Sequence, residues 1–144
     1  MDNEINQYQL TPTLLKRFNQ FCKITDTNKR FERIIELGKK LPALDDCHKT
    51  ENNQVKGCAS LVYIIGECIN NQMHYQGNSN SHLVQGLIAL LIEGFNGNSP
   101  QAILEIDPKF IEEMGLAQTL TASRANGFLN ALNLMRGLAK NHVK

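Results

Sequence analysis

Leu14, Leu15, Phe18, Phe21 and Cys22 recur at steps of one, three and four residues and therefore share one face over two helical turns. This spacing predicts a first helix from about Thr13 to Lys23. Asp26 can then accept hydrogen bonds from the free amides at the start of a second helix, whose apolar face is carried by Phe31, Ile34, Ile35 and Leu41. Pro42 ends it. From Asp45 to Lys56 the chain is polar and holds Asn52 and Asn53, which predicts a loop or an edge strand.

The following apolar segment differs in kind. Ala59 to Ile65 is short, β-branched and aromatic, and the polar Asn70, Asn71 and Gln72 separate it from Met73, His74 and Tyr75. Two strands joined by a tight Asn-rich turn fit this pattern. Apolar residues on both faces of the first strand predict a central strand covered at least partly on both sides. Ser79, Asn80 or Ser81 is placed to cap a core helix whose stripe runs through Leu83, Val84, Leu87, Ile88, Leu91, Ile92 and Phe95. Gly94, Gly97 and Asn98 stop it. Ser99-Pro100 and Asp107-Pro108 then start two short helices, and Thr121 or Ser123 starts a last long one carrying Phe128, Leu129, Leu132, Met135 and Leu138. This order describes an α+β layered domain, because the strands are too few and too local for parallel βαβ crossovers.

The chain has 144 residues, which suits one domain spanning residues 1–144, with residues 1–12 expected to be poorly ordered. A formal charge of +1 supplies no global field for a phosphate backbone or an anionic lipid surface. Nucleic acid and membrane are accordingly not expected as partners. The first residues lack the basic start and apolar stretch of a secretory signal, so a cytoplasmic location is expected. The run from Leu83 to Phe95 is too short for a membrane span. In a reducing compartment the four cysteines should remain thiols.

No phosphate-binding GxxxxGK[ST], GxGxxG, HExxH or GxSxG pattern is present. Attention therefore falls on cysteine and histidine. Cys22 lies on the apolar face of the first helix and reads as a core thiol. Cys68, beside Glu67 at the end of a strand, reads as structural, and Cys47, among Asp45, Asp46, His48 and Lys49, as an incidental surface thiol. Cys58 stands apart in Lys56-Gly57-Cys58-Ala59-Ser60. Its small neighbours leave the sulfur approachable, and a nearby lysine favours the nucleophilic thiolate. A strand-edge cysteine that simply packs is an equal reading of the same residues. Cys47, His48, Cys58 and Cys68 include no CxxC or HxxxH pair, so a shared metal site has weak support and no metal is expected.

Four segments carry a wider likeness: Arg30 to Pro42, Val55-Lys56-Gly57-Cys58-Ala59-Ser60, Gly77-Asn78-Ser79-Asn80, and Thr119-Leu120-Thr121-Ala122-Ser123-Arg124-Ala125-Asn126-Gly127. In this order they resemble the SufE family of sulfur acceptors, in register from Phe18 to Leu138. The resemblance implies a small three-stranded antiparallel sheet packed against helices, the SufE/IscU-like form of an α+β fold. It implies a protein that takes persulfide sulfur from a SufS-type, pyridoxal-phosphate-dependent cysteine desulfurase, stimulates that enzyme, and delivers the sulfur to a SufB-containing scaffold for iron–sulfur cluster assembly.

The family's acceptor cysteine matches Cys58, and the arginine of its last motif matches Arg124. Lys56 or Arg124 is then expected to stabilise the sulfur anion, with apolar groups of the Leu83 helix sheltering it at rest. The cofactor belongs to the desulfurase, so none is expected here, nor is independent turnover. A monomer or weak homodimer is expected. The glycine motif is neutral here, whereas family members commonly carry acidic residues in it. The alternative is an IscU-like scaffold holding metal or a nascent cluster through several cysteines.

Overall fold

The computed structural model describes residues 6–143, apart from the side chains of residues 117 and 118. Helices α1 (Pro12–Cys22) and α2 (Thr27–Lys39) come first. Two single 3-10 turns, Asp46–His48 and Glu51–Asn53, lead to strands β1 (Val62–Ile69) and β2 (Gln72–Ser79). Helices α3 (His82–Phe95), α4 (Pro100–Leu104), α5 (Phe110–Glu113), α6 (Leu116–Thr119) and α7 (Ala122–Lys140) complete the chain. Among the described residues no helix is long and apolar enough to cross a membrane.

Local chemistry accounts for the boundaries. The Asp26 carboxylate accepts from the Asn28 N–H at 2.8 Å, and the side chains of Ser81, Ser99 and Thr121 accept from the amides that open α3, α4 and α7. The hairpin turns on Asn70 (φ 53°) and Asn71 (φ 62°), both left-handed as a two-residue turn with the twist of its strands requires. Its register pairs Val62 with Ser79 and Ile69 with Gln72.

Helix α3 is the centre of the core, with Leu87, Ile88, Leu90, Leu91 and Phe95 at most 1% exposed. It is apolar almost all round because α2, β2, α1 and α7 all pack on it. The α2 crossing is tight enough to need glycine, since a Cβ on Gly86 would collide with the backbone oxygen of Ile34. On one sheet face Val62, Ile64, Met73 and Tyr75 are buried. That face meets α3 at Ile88 and α7 at Leu138.

Several expectations need correction. The sheet has two strands, not three. The segment expected as a possible edge strand contributes one bridge, Gln54 to Tyr63, and one bond in which the Val55 N–H donates to the Val62 oxygen at 2.8 Å. The 3-10 turn at Glu51–Asn53 and the left-handed Gly57 (φ 76°) bend the chain away on either side of it. Consequently β1 is one of two paired strands and not a central one, although both its faces are at least partly covered. Its second face is half-open, with Tyr63 and Ile65 partly buried and Glu67 exposed.

Three short helices follow α3 rather than two, and the turn begun by Asp107 precedes α5 instead of forming its first turn. Cys22 is exposed and not in the core, because α1 ends at that residue and its sulfur lies over the rim of α5. The expected poor order of residues 1–12 falls outside the described residues for 1–5. From Asn6 onward the chain is tied down. The Asn6 side chain exchanges two 2.8 Å hydrogen bonds with the Leu10 backbone, Leu10 is buried, and the Thr11 hydroxyl donates to the Gly94 oxygen.

Candidate functional site

Cys58 sits where the chain passes from the single bridge into β1. Val55 is buried and bonded to Val62, which fixes one end of the loop, and Leu61 accepts from the Asn80 N–H at the other. Between these anchors Lys56, Gly57 and Ala59 are exposed and Cys58 is half-buried. Gly57 supplies a left-handed conformation that other residues rarely adopt. The thiol is thus carried near the tip of a short surface loop and is not among the residues that bound the cleft beside it. The cleft that opens nearby, about 430 Å³ in volume, is bounded by His48, Asn53, Glu67, His74, Leu134 and Leu138.

The loop lies against α7. The Cys58 sulfur rests on Gly127, at the spot a side chain there would claim, since a Cβ built on Gly127 would collide with it. One turn further along, the Asn130 side-chain amide donates to the Lys56 oxygen at 3.1 Å and, more weakly, toward the Gly57 oxygen at 3.4 Å. A Cβ on Gly57 would come within 2.7 Å of the same nitrogen. The sulfur is therefore set against α7 at Gly127.

Arg124 stands one turn before Gly127. Residues three apart on a helix share a face, so Arg124, Gly127 and Asn130 form a single stripe, with Gly127 and Asn130 in contact with the Cys58 loop. Thr121 caps this end of α7 by accepting from the Arg124 N–H at 3.3 Å. The Arg124 side chain is exposed, as is Lys56, and neither forms an ion pair among the described residues. Lys56 precedes Cys58 by two residues, and Arg124 lies one helical turn from the glycine that the sulfur touches. Sequence reasoning missed Asn130, which carries no local signal. Gly127 does carry one, because an interior helical glycine costs stability and marks a close approach.

The other thiols lie apart. Cys47 is exposed on the first 3-10 turn. Cys22 donates its S–H toward the Glu113 carbonyl at 3.4 Å; desolvation there, and next the Glu113 charge, push its pKa up and away from reactivity. Cys68 is half-buried in β1 opposite Met73. Close to it the buried Tyr75 hydroxyl has its pKa raised, first by burial and then by Cys68. Among the described residues no group of three or more His, Cys, Asp or Glu side chains is placed to hold a metal ion.

The family model described as "SufE: Fe-S metabolism associated domain" matches residues 16–139. A SufE-like protein of Synechocystis is 45% identical over 127 residues, covering 88% of this chain and 80% of that protein. The sulfur acceptor protein CsdE of Escherichia coli is 35% identical over 119 residues, covering 80% of this chain and 79% of its own length. In three dimensions the chain is similar to the solution structure of a hypothetical protein from Thermus thermophilus. The TM-score is 0.79 at 22% identity, over 92% of this chain and 96% of that one. That likeness establishes the α+β fold.

Proposed function

The chain belongs to the SufE family, and from that premise we propose that it is a sulfur acceptor working through Cys58. The donor is the persulfide of a SufS-type cysteine desulfurase. In the proposed step the Cys58 thiolate attacks the terminal sulfur of that persulfide. The donor's S–S bond breaks as the new one forms, the bonding pair leaves with the desulfurase cysteine as thiolate, and Cys58 carries the persulfide. No net oxidation occurs and no cofactor of this chain is required.

The observation that carries this reading is that Cys58 rides on a short surface loop between fixed ends and is not among the residues that bound the nearby cleft. A thiol displayed in this way suits entry into another protein's active site, where access and thiolate fraction decide the rate. Lys56 and Arg124 are the groups we assign to stabilising the sulfur anion. The recipient of the sulfur is a SufB-containing scaffold for iron–sulfur cluster assembly. A cluster scaffold of the IscU kind is less well supported, because the four cysteines are dispersed and no metal-holding group forms among the described residues.

The test is incubation with a SufS-type desulfurase and free cysteine, followed by intact-mass and peptide mapping. A gain of one sulfur atom, about 32 Da, on the peptide holding Cys58 is expected, and Cys58→Ser should remain folded and gain nothing. Sulfur appearing on Cys47 or Cys68 in that variant would overturn the assignment.

A further inference from the structure

The loop that carries Cys58 has few bonds of its own. Val55 and Leu61 are tied by the backbone, but between them the hydrogen bonds to Lys56 and Gly57 come from Asn130. The Asn130 nitrogen and the Gly127 surface touch opposite ends of the same three-residue turn. One holds the main chain and the other receives the sulfur. Because these residues lie one turn apart on α7, a rigid helix positions both, and the docked loop keeps Cys58 half-buried.

We propose that Asn130 is a positioning residue that latches the Cys58 loop onto α7 and so sets how often the thiol is presented. The proposal rests on Cys58 being the working sulfur acceptor. Breaking the latch leaves the thiol's chemistry unchanged and raises the fraction of time that the sulfur is clear of Gly127. One net hydrogen bond of ordinary strength corresponds to a change in that fraction of about fivefold. Gly57 is part of the device, since its left-handed conformation disfavours a side chain and a Cβ there would press the Asn130 nitrogen out of place.

The test is the rate of alkylation by iodoacetamide, read for each cysteine by peptide mass spectrometry on the full chain. Asn130→Ala removes the amide, and Asn130→Leu removes its donor while keeping a similar shape and no charge. Both should accelerate Cys58 by about fivefold, with Cys22 and Cys47 unchanged as internal references. Across pH, the Cys58 profile should rise in amplitude and keep its midpoint, because a latch acts on access and not on proton affinity.

An unchanged Cys58 rate in both variants overturns the latch. So does a shifted midpoint, which would make Asn130 an electrostatic partner of the sulfur, or a parallel acceleration of Cys22 and Cys47, which would mean general loosening. Alkylation involves no desulfurase, so failure of the latch and failure of sulfur acceptance at Cys58 are separate results.

Discussion

The Tyr75 hydroxyl donates a 2.6 Å hydrogen bond to the backbone oxygen of Met135, joining the middle of β2 to α7. Tyr75 is 2% exposed, and its ring also meets that of Phe95 edge to face with centroids 6.1 Å apart. The bond thus fixes the helix that carries Gly127 and Asn130 to the hairpin that follows Cys58. Tyr75→Phe keeps the ring and deletes the bond. It should lower stability by about 1–2 kcal/mol, measured as a fall in the urea midpoint at unchanged slope.

The same hydroxyl makes stability sensitive to alkaline pH. Burial raises its pKa above the ordinary tyrosine value, so in the folded protein it stays protonated where the unfolded chain begins to ionise. Its stabilising contribution is complete below a pH of about 10 and is lost as pH rises toward the folded value. Urea midpoints should fall above about pH 10, and less steeply in Tyr75→Phe; equal slopes would show that Tyr75 is not the group responsible.

Two glycines should respond in opposite directions to the same change. Gly86→Ala places a methyl group against the Ile34 backbone oxygen at the α2–α3 crossing, where backbone cannot give way cheaply. It should cost about 2 kcal/mol or more despite alanine's better helix propensity. Gly137, in α7, has open space around a Cβ, so Gly137→Ala should stabilise by about 0.5–1 kcal/mol. Thermal melts of the pair check both.

Lys56 and Arg124 are exposed, so replacing either with alanine should change stability by less than about 0.5 kcal/mol. Sulfur acceptance should nevertheless slow by about two- to tenfold. The rates of the variants should also depend less on salt than that of the native chain, because screening weakens only attractions that are still present. An unaltered rate in the double variant would remove both cations from the proposed chemistry.

What could be read from the sequence was mostly what neighbours in the chain decide. Asp26, Ser81 and Thr121 cap helices because their side chains reach amides two or three residues on, and Asn70-Asn71 turns the hairpin through its own backbone. Short motifs singled out Cys58, Lys56 and Arg124, and the structure sets the Cys58 loop against the helix that carries Arg124. The missing third strand was not legible, since its length depends on where Gly57 and the Glu51–Asn53 turn bend the chain. Cys22 followed the apolar period of α1 yet lies at the helix end, where periodicity no longer determines burial. Asn130 was invisible for a different reason, because its partner is remote in sequence.

The Lys56 oxygen and the Asn130 amide that holds it are 74 residues apart along the chain. A ribosome adding about 5–20 residues each second therefore completes the cysteine loop about 4–15 seconds before it makes its helical rest. The hairpin can pair during this interval, but the sulfur has nothing to lie against. Each newly synthesised molecule thus passes through a period in which the Cys58 thiol is as open to oxidants as any surface cysteine, and the arrival of α7 covers it in part.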